Sequence, residues 1–166
     1  RIDTVYCVDQ GTDRVENQPG FEQVSAELGG QLSYICQRNL GGSGGYSRGM
    51  YETVKAGRSD YVLLPDDDAV SEPESILRAV QFEDYAVKPL LVGGAMFHLD
   101  NRTVLYTQGE RINSSRMWNM PSAGLDYNFD FAASPLRDAP ERHQRVDSDY
   151  NGWGMCLIPV AVLREI

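Results

Sequence analysis

Three consecutive aspartates, Asp66, Asp67 and Asp68, follow a short apolar run that ends in Leu64-Pro65. Neighbouring carboxylates disfavour one another's ionisation unless a cation compensates them. Residues at i and i+2 of an extended or turning chain can face the same way, so Asp66 and Asp68 could share one Mg²⁺ or Mn²⁺ ion. The alternative is an acidic turn that also caps the following helix.

Polar pairs also follow two other apolar runs, namely Asp9-Gln10 and Arg38-Asn39. Ligands of open parallel sheets collect beyond the carboxyl ends of the strands, so we expect these pairs and the aspartates to converge at one edge of a sheet. Asp9 and Gln10 could bind a base or a ribose there. The competing interpretation is an Asx-type turn stabilised by Asp9 or Asp13.

The segment Gly41-Gly42-Ser43-Gly44-Gly45 precedes a helical pattern and could cradle a phosphate. It does not match G-x-x-x-x-G-K-[ST], because no lysine follows. A flexible turn that permits close packing is the equally weighted alternative.

Two further candidates lie later in the chain. Glu110 follows Tyr106-Thr107-Gln108-Gly109, and Trp153 follows Asn151-Gly152. A tryptophan can stack on the face of a sugar, although more often it packs in a core.

The elements that must position these residues alternate along the chain. Apolar runs predict strands at 4–8, 32–36, 61–64 and 90–97. Helical spacing predicts helices at 21–28, at 46–56 and from Glu72 to about Phe82, and Gly57 is expected to end the second of them. A short strand near 103–106, a long loop over 113–140 and a closing helix after Pro159 complete the pattern. Such alternation predicts an α/β fold with a mostly parallel sheet covered by helices on both faces.

Composition and charge limit the classes of function that the chain can have. The 166 residues suit one domain, and the formal net charge of −9 argues against a nucleic-acid partner, which would need a basic face. The three cysteines are odd in number and lie in apolar runs, as is typical of a reducing compartment. We therefore expect a cytoplasmic location, with a peripheral position at the inner face of the plasma membrane as the alternative.

The combined motifs resemble a known family. Val8-Asp9-Gln10-Gly11-Thr12-Asp13, the stretch from Gln37 to Gly45 and Asp66-Asp67-Asp68-Ala69 are similar to inverting family-2 glycosyltransferases of the GT-A fold. More narrowly, with Gly109-Glu110 and Asn151-Gly152-Trp153, they resemble the actinobacterial galactofuranosyltransferases that build cell-wall galactan. The similarity covers nearly the whole chain.

The resemblance implies a UDP-galactofuranose donor, a glycan or lipid-linked glycan acceptor, a Mn²⁺ or Mg²⁺ cofactor, and a single displacement. It divides the chain into a nucleotide-sugar and metal half, residues 1–99, and an acceptor half, residues 100–166. The roles it implies are donor binding by Asp9, Gln10, Arg38, Asn39, Asp66 and Asp67, metal binding by Asp66 and Asp68, and acceptor binding by Glu110, Trp153 and Tyr106.

Two departures from the family pattern concern the acceptor. Tyr106 stands where a histidine is expected, and Gly154 follows Trp153 where a second tryptophan is expected. The resemblance also implies that the fold is incomplete at both ends and that the catalytic base lies beyond Ile166. We therefore expect the natural protein to be longer at both ends, and the 166 residues alone to be inactive and prone to self-association as a homo-oligomer.

Two other classes of function remain open from sequence. A nucleotidyltransferase also uses carboxylates and a divalent ion on an α/β sheet, but it would want basic residues near a triphosphate, and only Arg38 and Arg48 flank the glycine segment. The other class is a non-catalytic sugar-nucleotide-binding module.

Overall fold

The computed structural model describes residues 1–115, 118–121 and 125–166, with the backbone alone for 118–121. The chain forms two compact units. The first comprises Arg1–Val62 and Val160–Ile166, and the second comprises Leu63–Pro159. The predicted halves, 1–99 and 100–166, are defined by function rather than by compactness, and they stay a prediction.

The first unit is built around one parallel strand pair. Strand β1 (Val5–Asp9) pairs with β2 (Leu32–Cys36) from Val5 opposite Leu32 to Asp9 opposite Cys36. The connection between them contains helix α1 (Phe21–Leu28), as a parallel crossover requires. Because the two strands are parallel and in register, their carboxyl ends bring Asp9 and Gln37 together, and the Gln37 N–H donates to the Asp9 carbonyl at 3.0 Å.

Helix α2 (Gly41–Ala56) packs on β1 and begins five residues earlier than the sequence predicts. Glycine's low helix propensity predicts a turn at Gly41–Gly45, but close packing requires glycine at Gly44 and favours it at Gly45. A Cβ on Gly44 would lie 2.2 Å from Leu40 Cβ, and one on Gly45 would lie 3.0 Å from Gln10 Nε2. The predicted stop is confirmed, because Gly57 adopts φ 62° and its N–H donates to Thr53 O at 3.2 Å.

The second unit contains most of the remaining strands. Strand β3 (Tyr61–Pro65) enters it, and helix α3 (Pro73–Asp84) follows with its proline in the first turn. Strands β4 (Val92–Gly93), β5 (Met96–Phe97), β6 (Val104–Thr107), β7 (Glu110–Asn113), β8 (Trp118–Pro121), β9 (Phe129–Asp130) and β10 (Met155–Pro159) come next. The chain ends with the short helix α4 (Val160–Leu163), part of the first unit.

Strand pairing in the second unit is largely antiparallel. The hydrogen-bonded orders are β3-β10-β4, β5-β6-β9 and β7-β8. The pairs β10–β4, β5–β6, β6–β9 and β7–β8 are antiparallel. Its buried apolar residues include Cys156, Leu157 and Ile158 of β10, with Leu64 of β3, Ala79 of α3, Leu105 of β6 and Ala139.

The mixed α/β class is confirmed, as are the strands predicted near 4–8, 32–36 and 61–64. The single strand predicted at 90–97 is instead two short strands, β4 and β5. A Cβ on Gly94 would lie 2.6 Å from Met155 Sδ, and the Gly94 N–H donates to Met155 O at 3.1 Å. Close approach to β10 therefore interrupts the run. No helix within the described residues combines the length and apolarity needed to cross a membrane.

Candidate active site

Asp9, at the end of β1, has a carboxylate that is saturated by partners from its own unit. Oδ1 accepts from the Gly11 N–H at 2.8 Å and from Arg14 Nη1 at 3.4 Å. Oδ2 accepts from the Val15 N–H at 2.9 Å and from the Tyr34 hydroxyl. The Tyr34 bond, the backbone donors and Arg14 lower the pKa of Asp9 to about 2. The Asx-type turn is therefore present, and the donor-binding role of Asp9 stays a prediction.

Gln10 connects the end of β1 to the start of α2. Its Oε1 accepts from Gln37 Nε2 at 2.9 Å and from the Leu40 N–H at 3.0 Å, and its Nε2 donates to Gly41 O at 2.9 Å. These three bonds hold the loop that carries two predicted donor-binding residues, Arg38 and Asn39.

Arg38 and Asn39 are both exposed. Asn39 Oδ1 accepts from the Gly41 N–H at 2.8 Å, which closes a turn at the helix start. The structure thus brings Asp9, Gln10, Arg38 and Asn39 to one end of the β1–β2 pair, as the sequence predicts. Their contacts with a nucleotide stay a prediction.

In the second unit, the three aspartates form a turn at the end of β3. Asp66 is half-buried, Asp67 and Asp68 are exposed, and the Ala69 N–H closes the turn onto Asp66 O at 3.2 Å. Within the described residues, no group of three or more His, Cys, Asp or Glu side chains is arranged to hold a metal. Mg²⁺ sites that include substrate phosphates commonly use only one or two protein carboxylates, so the chemistry of Asp66 and Asp68 suits such an ion.

The Trp153-Gly154 segment lies beside the aspartate turn. A Cβ on Gly154 would be 3.5 Å from Asp66 Oδ2, but also 2.4 Å from Met96 Cε. The end of the Met96 side chain therefore occupies the space in which a second tryptophan would begin, and a larger residue here would have to displace it. Trp153 itself is 36% exposed. The segment predicted to bind acceptor thus lies next to a residue predicted to bind metal.

Glu110, the first residue of β7, is the centre of a tyrosine cluster. Its Oε1 accepts from the Tyr127 hydroxyl at 2.6 Å and its Oε2 from the Tyr150 hydroxyl at 2.7 Å. Burial, with the bond to Glu110, raises the pKa of Tyr127 and raises that of Tyr150 to about 12. Both phenols therefore remain hydrogen-bond donors at neutral pH.

Tyr106 joins the same cluster through its ring. It stacks on Tyr127 with centroids 5.4 Å apart and an interplanar angle of 29°, and the His98 ring meets it edge-on at 5.8 Å. Two of the three predicted acceptor residues, Glu110 and Tyr106, are therefore brought together, with Tyr127 between them. Sequence reasoning missed Tyr127 and Tyr150, because no fixed spacing connects them to Glu110.

The second unit also contains a groove of about 740 Å³ at the end of α3. Phe82, Tyr85, Leu90 and Arg145 are among the residues that line it, and none of the predicted site residues does. The groove is thus lined by other residues than those predicted to bind donor, metal or acceptor.

Residues 1–166 match the protein family described as Glycosyltransferase like family 2, and the chain belongs to that family. Over 170 residues it is 42% identical to Galactofuranosyltransferase GlfT2 of Mycolicibacterium smegmatis. Over 169 residues it is 42% identical to the protein of the same name from Mycobacterium tuberculosis. Each alignment covers 99% of this chain and 26% of the relative, so the chain spans about a quarter of the length of these proteins. The resemblance found in the sequence is confirmed.

Proposed function

We propose that the protein containing this chain is an inverting glycosyltransferase that moves galactofuranose from a UDP-sugar to a glycan or lipid-linked glycan acceptor. Membership of the glycosyltransferase family supports sugar transfer over nucleotidyl transfer. The donor sugar is supported by 42% identity to two galactofuranosyltransferases over 99% of the chain.

One structural observation carries the proposal. The turn of three aspartates lies beside Gly154, which follows Trp153, within a single compact unit that also contains Glu110. Carboxylates suited to a divalent ion and a segment suited to a sugar are therefore neighbours. A glycosyltransferase needs this arrangement, since the leaving diphosphate and the attacking hydroxyl must meet at one sugar carbon.

Asp66 and Asp68 would hold Mn²⁺ or Mg²⁺, which would neutralise charge that develops on the departing diphosphate. On the donor side, the bonds of Gln10 keep the Arg38-Asn39 loop at the end of β2, where the two exposed side chains can face a nucleotide. On the acceptor side, Glu110 accepts hydrogen bonds from sugar hydroxyls. A carboxylate base would take the proton of the attacking acceptor hydroxyl. Its oxygen would bond to the anomeric carbon as the bond to UDP breaks on the opposite face, which inverts the anomeric configuration.

The experiment is a titration of the intact protein with UDP, with and without Mn²⁺, in the wild type and in Asp68→Ala. Losing even a hydrogen-bonding partner of a metal ligand costs about 10- to 100-fold in affinity, so loss of a ligand should weaken Mn²⁺-dependent UDP binding by more than ~100-fold. Asp100→Ala, which changes another exposed aspartate of the same unit, is the matched control and should bind normally.

Transfer is then measured with UDP-galactofuranose and a galactofuranosyl disaccharide, with the product identified by mass spectrometry. A longer oligosaccharide supports the proposal. Equal Mn²⁺-dependent UDP binding by Asp68→Ala and wild type would refute the metal assignment. Nucleotide binding without sugar transfer by the intact protein would instead support a non-catalytic module.

A further inference from the structure

The carboxylate of Glu110 has capacity for two more hydrogen bonds. An ionised carboxylate offers about four acceptor positions, two on each oxygen. Among the described residues, one position on Oε1 is used by Tyr127 and one on Oε2 by Tyr150. One position therefore remains on each oxygen, and Glu110 as a whole is half-buried rather than enclosed.

The two tyrosines reach Glu110 from different parts of the chain, 17 and 40 residues away. The Tyr150 segment is also fixed through the backbone, because Tyr150 forms a β-bridge with Glu110 and the Asp149 N–H donates to Glu110 O at 3.0 Å. Asp149 Oδ2 in turn accepts from the Ile112 N–H at 2.9 Å. The Tyr127 segment is tied to β6, because the N–H of the next residue, Asn128, donates to Tyr106 O at 3.1 Å. Both donors to the carboxylate thus come from segments that are bonded to neighbouring strands.

An aromatic surface adjoins this carboxylate. Tyr106, which stacks on Tyr127, is 44% exposed. A sugar ring presents apolar C–H groups on its face and hydroxyl donors at its edge. An exposed aromatic ring can pack against the C–H groups. A carboxylate with two open acceptor positions can accept hydrogen bonds from the hydroxyls.

We propose that Tyr127 and Tyr150 are positioning residues, which fix the Glu110 carboxylate so that it accepts hydrogen bonds from two neighbouring hydroxyls of the acceptor sugar. Tyr106 packs against the C–H face of that sugar. The inference rests on the proposed function for the identity of the sugar, and it adds two residues that determine how tightly the acceptor is bound.

The test measures binding of a galactofuranosyl disaccharide to the intact protein by calorimetry, without a donor. Tyr127→Phe and Tyr150→Phe each remove one hydroxyl and keep the ring. Each is expected to raise the Kd about tenfold, the scale of one hydrogen bond to a charged group. Glu110→Gln should raise it at least as much. Tyr51→Phe changes a 59% exposed tyrosine of the first unit and should leave the Kd unchanged.

A second readout separates positioning from a purely structural role. If the tyrosines act through Glu110, Tyr127→Phe should add little to the Kd in a Glu110→Ala background, because the group it positions is gone. In steady-state transfer, the acceptor KM should rise in both tyrosine variants while the donor KM stays constant.

The inference is overturned if either tyrosine variant binds the disaccharide as tightly as wild type, if the effects of Tyr127→Phe and Glu110→Ala are additive, or if the wild type does not bind the disaccharide. Its failure is distinguishable from that of the proposed function. Tyrosine-dependent binding without transfer refutes only the function, whereas transfer with an unchanged acceptor KM in both variants refutes only the positioning role.

Discussion

Asp9 in the first unit and Glu110 in the second are both carboxylates bound by tyrosine hydroxyls, yet their surroundings differ. Asp9 is 4% exposed and has four donors, two of them backbone N–H groups and one the cation Arg14. Glu110 is half-buried and has two donors, both tyrosine hydroxyls. A saturated carboxylate organises a loop, whereas a half-saturated one can still bind a ligand.

The two carboxylates are also connected to their units in different ways. The partners of Asp9 fix the loop after β1, next to the Gln10 bonds that hold the start of α2. The partners of Glu110 come from loop segments that precede β9 and β10. The Asp9 carboxylate is therefore expected to govern stability, and the Glu110 carboxylate to govern affinity for the acceptor.

The largest effect is expected for Asp9→Ala. It leaves two backbone N–H groups and the Tyr34 hydroxyl without their acceptor, and unsatisfied buried donors are costly. The melting temperature of the protein should fall by roughly 5–15 °C. Glu110→Ala, the matched variant, should lower it by less than about 3 °C, because Glu110 is only half-buried and the change leaves no backbone N–H or cation without its acceptor. If the two variants have equal melting temperatures in a calorimetric scan, Asp9 does not contribute more to stability than Glu110.

A smaller effect is expected at the start of α2, the element that Gln10 ties to β1. Gly44→Ala places a methyl group against Leu40 and should lower the free energy of unfolding by about 1–3 kcal/mol. Gly42→Ala has open space around its Cβ and should raise it by up to about 1 kcal/mol. Denaturant titrations of both variants give the comparison. If both substitutions stabilise the protein, the inference that Gly44 is closely packed against Leu40 is wrong.

The pH dependence of stability should also separate the two regions. The pKa of Asp9 is lowered from 3.8 to about 2, so its charged form favours the folded state. This contribution is complete above about pH 5 and is lost as the pH falls from about 4 towards 2. The difference in unfolding midpoint between wild type and Asp9→Asn should therefore shrink over that range. A difference that stays constant down to pH 2 would contradict the low pKa.

The smallest effect is expected for Tyr34→Phe, which removes one of the four donors to Asp9. The melting temperature should fall by about 2–4 °C, the scale of one hydrogen bond. The pKa of Asp9, followed by NMR of its carboxyl carbon, should rise, since Tyr34 is the largest cause of its lowering. Tyr127→Phe should leave the melting temperature nearly unchanged. The reverse pattern would assign the structural role to Glu110.

The sequence alone determined the features that local order encodes. Periodicity predicted the strands at 4–8, 32–36 and 61–64, and the glycine after Ala56 predicted the end of α2, because a left-handed residue at that point favours glycine. The combined order of the motifs identified the family, and the polar ends of β1 and β2 were predicted to meet because a parallel crossover leaves them adjacent.

Only the tertiary structure decided which carboxylates are saturated. Tyr34 lies 25 residues from Asp9, and Tyr127 and Tyr150 lie 17 and 40 residues from Glu110; no local pattern connects such residues. The early start of α2 and the break between β4 and β5 also depend on what packs beside Gly44 and Gly94. A sequence records residue type and order, but the number of donors around an oxygen and the space beside a glycine are set by chain segments that meet only on folding.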